Sequence, residues 1–352
     1  MNSLLVASIN AEWMNNWFTA DGEPAAFEPT FRMPGETGNS PPHDTQRTAM
    51  RLAREIKAID ADILALQEAP SRKEELDLFI EAHLSAPGGP IYASILGDSG
   101  RSQKLALLFK RSVVSATLAP ASSVSTLLEP WEADVDGSLM LASYEFTRTP
   151  LIVNVDCGND SFQLIVMHTK SAYVNRGQEK WRDPARRQEY IFEAVRARRR
   201  TGAEAMRTRE YLEEQLSANP DARVIVLGDL NDGPGLDFFE RHYLLHNITD
   251  ILVGSAYQPE HIFAHAQHDV ARDRRFTAEF DDFVTDEKNK KLLLDHILLS
   301  PAFKSSRGLR KVPGSGRIHH EEFLAQIDNG GARREDRPSD HRPVSVTVEF
   351  DD

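Results

Sequence analysis

Residues 224–232 read VIVLGDLND, an apolar, β-branched run that stops at Gly228 and then presents Asp229, Asn231 and Asp232. A strand covered on both faces has this composition and no helical period. Side chains alternate along an extended backbone, so Asp229 and Asn231 are expected to point one way and Leu230 back into the protein. That arrangement aims a carboxylate and an amide into one cleft. The same residues also suit an Asx-type turn, in which Asp and Asn bond to local backbone.

The pattern recurs. Short apolar runs end at Asn10, at Gln67 and Glu68, and at His168, and two Asp-His pairs follow in LLLDHILLS (Asp295, His296) and PSDHRPVSV (Asp340, His341). Each residue alone has an ordinary structural reading as a turn former, a solvated pair or a boundary histidine. As a set they suit a hard cation such as Mg²⁺, which takes oxygen ligands and needs only one or two carboxylates when phosphate oxygens complete its shell. Glu68, Asp340, Asn10 and Asp229 carry such atoms. Histidines add a donor or proton carrier near neutral pH for charge developing on a phosphate.

The elements that must position these groups follow from periodicity. Strands are expected at Leu4–Ile9, Ala61–Leu66, Ala106–Lys110, Leu151–Val155, Phe162–Met167, Val224–Leu227, Leu292–Leu299 and Val344–Phe350. Helices are expected at Thr45–Ile59, where Met50, Leu52, Ala53, Ile56 and Ile59 recur at helical spacing, and around 72–85 and 185–217. No fixed short repeat or long linker divides the chain. One domain over 1–352 is expected, with insertions near 19–45, 172–200, 258–290 and 306–337 that are polar and poor in strand pattern.

A single cysteine, Cys157, excludes an internal disulfide and a multi-cysteine zinc site. The N-terminus lacks a basic region and a long apolar run, and no stretch approaches the ~18 residues of a membrane span, so a soluble cytoplasmic protein is expected. The formal charge of −13 argues against coating duplex nucleic acid through a general basic surface. Positive charge is nevertheless concentrated: residues 176–209 hold eleven Lys or Arg against five Asp or Glu, about +6, leaving about −19 for the rest. With Tyr173, Trp181 and Tyr190 this stretch offers phosphate contacts and stacking surfaces, or simply a solvated helix face. His261, His265 and His268 have helical spacing beside Asp269, which reads as a solvated polar insertion, as does His319-His320-Glu321. VPGSGR (312–317) has neither the preceding strand nor the spacing of a phosphate loop.

Six motifs in order, INAEW (9–13), LALQE (64–68), MHTKS (167–171), GDLND (228–232), LDHILLS (294–300) and SDHRPV (339–344), resemble those of the endonuclease/exonuclease/phosphatase superfamily. The resemblance implies a deoxyribonuclease I-like fold, a four-layer α/β sandwich of two packed, mostly antiparallel sheets with outer helices. It implies Glu68 as principal metal ligand, with Asn10 and Asp340 completing or flanking the site, and Mg²⁺ or Mn²⁺ as the cofactor. Asp229 would orient or deprotonate the attacking water and Asn231 would hold that water or a phosphate oxygen. His341, oriented by Asp295, and His168 would donate to the phosphate from two sides. Arg148 in TRTPL and Lys170 in MHTKS are candidate phosphate contacts, and Arg198, Arg199 and Arg200 candidate contacts to a nucleic-acid backbone. Two departures stand out: Ile9 replaces an aromatic residue, and His296, read as a core histidine, stands where Tyr or Phe is frequent. The implied activity is metal-dependent phosphoester hydrolysis, first as a nuclease, alternatively on a small phosphorylated metabolite or lipid headgroup. A binding module with a dead site is a third class.

Overall fold

The computed structural model describes residues 2–36, 38–100, 102–305 and 308–350. In chain order it forms β1 (Asn2–Asn10), α1 (Thr45–Ile59), β2 (Ile63–Ala69), α2 (Lys73–His83), β3 (Ala93–Leu96), β4 (Lys104–Phe109), β5 (Ser115–Leu118), β6 (Leu151–Cys157), β7 (Asp160–His168), α3 (Arg187–Ala218), β8 (Val224–Asp229), α4 (Ile248–Val253), β9 (Asp295–Leu299) and β10 (Val344–Phe350), with shorter strands and turns between them. One sheet has the order β10-β1-β2-β4-β3, and two-residue strands at 310–311 and 317–318 pair with β10. The other has the order β9-β8-β7-β6-β5, with 264–265 against β9.

Two-residue alternation produces the layers. Leu4 and Val6 of β1, Ile63 and Ala65 of β2, and Leu105 and Leu107 of β4 face Val153, Val155, Leu164, Val166, Ile225 and Leu227 of the other sheet in one shared core. The opposite faces of the first sheet, Ile9, Leu64, Leu66 and Leu108, bury Leu52 and Ile56 of α1 and Phe79 of α2. Ile165, Met167, Val224 and Val226 bury Ala205, Leu212 and Leu216 of α3 and Leu252 of α4. The fold is thus the deoxyribonuclease I-like sandwich, helices outside two sheets.

Pairing is antiparallel except at β1–β2 and β7–β8. A parallel pair needs a crossover, and α1 and α3 supply them. The Asp44 side chain caps α1 by accepting from Arg47 N at 2.9 Å, and Asp60 ends it in a left-handed conformation. Its buried stripe is Ala49, Leu52, Ala53, Ile56 and Ile59; Met50 lies outside it and faces solvent.

One expectation is corrected. Leu292–Leu299 is not one strand: 287–292 pairs with 278–282 in a separate hairpin, and the chain enters the sheet only at Asp295. EKNKKL lacks an apolar face because that two-stranded ribbon stands outside the core, which hid it inside the 258–290 segment. The 172–200 segment holds a short helix, Gly177–Arg182, and the start of α3, in line with the helix expected around 185–217. Its aromatic residues Trp181 and Tyr190 pack with Val174, Phe238 and Phe239 in a satellite cluster.

Candidate active site

The two parallel pairs bring four strand ends to one edge. β7 and β8 align His168 with Asp229, β1 and β2 align Asn10 with Gln67, and antiparallel β9 starts with Asp295 opposite Asp229. Antiparallel β10 begins at Val344 opposite Ser8, so Asp340 and His341 arrive at the same edge. Gly228 has φ +138°, and a Cβ there would lie 2.0 Å from the Met167 carbonyl oxygen, so only glycine lets β8 press this closely on β7. Past it, Asp229 Oδ1 accepts from Asn231 N at 2.8 Å, while Asn231 sits at φ +53° and donates through Nδ2 to Thr169 O at 3.1 Å. The Asx turn and the site geometry are therefore one structure, with Leu230 buried behind it.

Glu68 is held at φ +56° where the β2–β4 register shifts between Leu66 and Ala69. This bulge turns its carboxylate toward the cleft. Glu68 Oε2 accepts from Trp13 N at 2.7 Å and Gln103 Nε2 at 2.6 Å. Gln103 Oε1 in turn accepts from Arg148 Nη2 at 2.6 Å. Asn10 Nδ2 donates to Asp229 Oδ2 at 2.9 Å and reaches Glu68 Oε1 at 3.4 Å, while its Oδ1 accepts from Glu12 N at 2.9 Å. In this arrangement Asn10 ties the two sheets' carboxylates together through its amide N–H group, flanking Glu68.

The two site histidines are driven to opposite charge states. His341 Nδ1 lies 2.7 Å from Asp295 Oδ2, and its Nε2 is 3.9 Å from both Asp229 Oδ2 and Asp340 Oδ1. Burial opposes its charge, but Asp295, Asp229 and Asp340 hold its pKa well above the usual imidazole range. It is an imidazolium. His168 Nε2 lies 3.5 Å from Asp229 Oδ2 and 3.9 Å from Glu68 Oε1. Burial, then the positive charges of Arg148, His341 and Lys170, push its pKa well below the usual range, so it is neutral. Asp229 is pushed up to about 6 by burial, against the lowering effect of His341. Glu68 is pushed up to about 7 by burial and the charge of Asp340.

The donor set fits a divalent cation. Glu68 and Asp340 are hard oxygen donors close enough for the charge of Asp340 to raise the cost of ionising Glu68, which a cation between them would relieve. Asp229, Asp295 and His341 also offer one ligand atom each within 4.8 Å of one another. There, however, Asp295 occupies Nδ1 of a histidine that three carboxylates keep protonated, which suits holding a proton better than holding a metal.

Glu68, His168, Asp229, Asn231, Asp295, Asp340, His341 and Asn10 are thus brought together, with Arg148 and Lys170 at their margin. Arg198 and Arg199 are not: Arg198 pairs with Asp237 and lies over the Phe239 ring, and Arg199 packs against Gly137. Arg200 stacks on Tyr144, 5.4 Å from the ring centroid. Sequence reasoning missed Trp13, Gln103, Glu12 and Arg334. Buried Arg334 forms an ion pair with Glu12 Oε2 at 2.9 Å and donates to Ala11 O at 3.2 Å and Pro338 O at 3.0 Å, stapling the Glu68-binding loop to the segment leading into His341. Of the histidines expected to be solvated, His268 is exposed and the others are not. His265 is buried and bonds His296 at 2.8 Å, whose Nε2 reaches the Asp232 carbonyl at 2.7 Å; His261 pairs with Glu213; and His319 and His320 are buried. Among the described residues no helix is long and apolar enough to cross a membrane.

The sequence model of the Endonuclease/Exonuclease/phosphatase family matches residues 33–341, a span holding every site residue above except Asn10 to Trp13. No curated protein sequence matches this chain. Similar solved structures share the fold at low identity. An endonuclease/exonuclease/phosphatase from Bacteroides vulgatus is 13% identical, covers all of both chains and has a TM-score of 0.52. TDP2 from D. rerio, solved with a single-strand DNA product, is 15% identical over 99% of this chain and 100% of that one, with a TM-score of 0.51. Truncated Caenorhabditis elegans TDP2 is 15% identical over 99% and 98%, with a TM-score of 0.50. With the motifs at one sheet edge and this span matched, the chain belongs to the Endonuclease/Exonuclease/phosphatase family.

Proposed function

We propose that this protein is a divalent-metal-dependent phosphodiesterase, acting first as a nuclease by in-line attack of water. The observation that carries the reading is the pairing of a cationic His341 with ionisable Asp229 across a cleft edged by Glu68 and Asp340. Mg²⁺ or Mn²⁺, held by Glu68 and Asp340, would supply Lewis-acid neutralisation of the phosphate. Asp229 takes the proton of the attacking water, with Asn231 fixing that water or a phosphate oxygen. His341 Nε2 donates to the phosphate, and Asp295 holds its ring and its charge. Neutral His168 donates one N–H from the opposite side. Gln103 and Trp13 N fix one oxygen of Glu68, and Arg148, bonded to Gln103, faces the phosphate.

A small phosphorylated substrate is the second reading. It is favoured by the ion pairs of Arg176, Arg186, Arg196, Arg198, Arg207 and Arg209, which neutralise most of the basic stretch locally. A panel of single-stranded DNA, duplex DNA, RNA, a phosphodiester dye and a phosphomonoester, each in chelator, Mg²⁺ and Mn²⁺, tests both. Metal-dependent cleavage of the polynucleotides supports the nuclease reading. Cleavage confined to small esters supports the second, and full turnover in chelator sinks the mechanism.

A further inference from the structure

Beside His341 stands a wall of aromatic rings that the hydrolytic chemistry does not use. The ribbon of 278–282 paired with 287–292 builds one side of it, and residues next to the site hold that ribbon in place. Thr277 Oγ1 accepts from Leu294 N at 3.0 Å and from Asp295 N at 3.2 Å, and Arg342 N donates to the Thr277 carbonyl at 2.8 Å. Arg342, the residue after His341, also pairs with Glu279 at 2.6 Å. Phe280 is thereby placed with its ring centroid 6.4 Å from that of His341, edge to face, and it stays 40% exposed.

Behind Phe280 lies a cavity of about 200 Å³, walled by Phe283 from the turn of the ribbon, by Phe238 and Phe239, and by Tyr190 of α3. The rings brace one another edge to face: Tyr190 stands 5.7 Å from Phe239 and 5.6 Å from Phe283, and Phe238 stands 5.1 Å from Phe239. The charges of the lining are matched. Arg198 Nε donates to Asp237 Oδ2 at 2.8 Å, Lys290 Nζ to Asp282 Oδ2 at 2.7 Å, and Asp281 Oδ2 accepts from Lys288 Nζ at 2.6 Å. Arg198 and Asp237 also line the small neighbouring cavity that reaches Asn231. The aromatic cavity is therefore bordered by His341 on one side and by the surroundings of Asn231 on another.

A lining whose charges are already paired does not favour a second phosphate, whereas its rings favour an uncharged planar guest. Drug-sized ligands occupy pockets of about 300–1,000 Å³, so this smaller space suits a single ring system. We propose that the cavity is a base subsite, taking the nucleobase of a nucleotide that adjoins the scissile phosphate, with Phe280 as the ring on which the base stacks. This rests on the phosphodiesterase reading and narrows its substrate class to nucleotide esters, in a strand or free.

Equilibrium binding of a dinucleoside monophosphate in chelator, set against the same compound with either base replaced by hydrogen, reads the subsite without turnover. In the wild type, loss of one of the two bases should weaken binding roughly five- to a hundredfold, as loss of one base–aromatic stack predicts. Phe280→Leu and Phe283→Leu keep apolar volume but remove a ring face, and each should lose most of that difference, while Phe280→Trp should keep it. Equal affinity of the wild type for the intact and both abasic compounds overturns the subsite. So does an undiminished base effect in both Leu variants, each folded by its melting curve, or equally tight binding of a compound with an n-hexyl group in place of the base. The source is decided by kcat/KM on an oligonucleotide and on a nucleoside 5′-phosphate methyl ester, each with and without its base. A base effect confined to the oligonucleotide marks a strand, and one of equal size on the methyl ester marks a free nucleotide. A protein that shows the base effect in binding yet cleaves no phosphodiester keeps the subsite and loses the hydrolase reading; one that cleaves intact and abasic substrates alike keeps the hydrolase reading and loses the subsite.

Discussion

His341 Nδ1 stands 2.7 Å from Asp295 Oδ2, and the far side of the same ring faces Asp229 across 3.9 Å. The buried carboxylate fixes the orientation of the ring and favours its charged form. Asp295→Asn removes the first-named charge holding His341 protonated, so its pKa falls and the imidazolium is lost at lower pH. We expect the alkaline limb of the pH–rate profile to move down and the rate at pH 8 to drop roughly 10²–10⁴-fold. An unmoved limb would show that this pair does not set the protonated state.

His341→Ala should lose a similar factor, roughly 10²–10⁴, with Mg²⁺ affinity nearly intact, as follows from its proposed role as a donor to the phosphate rather than a metal ligand. Calorimetric titration of the metal against the folded variant checks this. A large fall in metal affinity would move His341, and with it the Asp229–Asp295–His341 group, into the metal site.

Glu68→Gln should stabilise the metal-free protein at high pH. The folded pKa of Glu68, about 7, lies above its ordinary 4.5, so the wild type binds the extra proton between these values and loses stability as pH rises through 7. Gln has no such slope. In chelator the two proteins should be nearly equal near pH 4.5 and diverge in favour of Gln by pH 8, by at most about 3 kcal/mol. Urea unfolding across that range reads the difference, and excess Mg²⁺ should reverse its sign. A flat difference would refute the crowding of Glu68 with Asp340.

His168 should take up its proton only well below the usual imidazole range while His341 gives up its own only well above it, in line with their opposite shifts. Ring-nitrogen NMR shifts distinguish the two states directly. A His168 that titrates near 6.5 would show that its burial is relieved in solution.

Arg334→Gln strips Glu12 of its buried partner and frees the loop that offers Trp13 N to Glu68. Removing one member of a buried pair costs about 3–5 kcal/mol. The stapling role further predicts a weakened Mg²⁺ affinity in the folded variant, which a purely structural role would leave unchanged. Arg334→Lys should recover part of the stability but not the paired contacts to the Ala11 and Pro338 carbonyls.

The strand-end carboxylates and histidines were legible because apolar runs announce buried strands and the polar residue after each run is anomalous. Gln103, Trp13 and Arg334 carry no such signal. Gln103 lies one residue before β4 in a polar turn, Trp13 contributes its backbone N–H, and Arg334 acts across 322 residues of chain on Glu12; none belongs to a periodic pattern. The reading of His261, His265 and His268 as solvated failed for the first two because polar composition does not show burial: they sit in short turns and a two-residue strand, His265 packed on His296 and His261 on Glu213. Charge density misled in the 176–209 stretch, since a count of cations cannot show which acid each one meets.

Glu12, Trp13, Glu68 and Asn231 all adopt left-handed backbone conformations at the reactive edge, at φ values of +49° to +60°. Each such residue costs of order 1–3 kcal/mol when it is neither glycine nor locally compensated. Glycine at 68 would relieve both backbone and charge at once. A library of variants selected for heat resistance alone, without metal or substrate, should therefore drift toward inert sequences at this edge first. Retention of Glu68 in a lineage would then mark continued demand for its chemistry, independent of any demand for a stable fold.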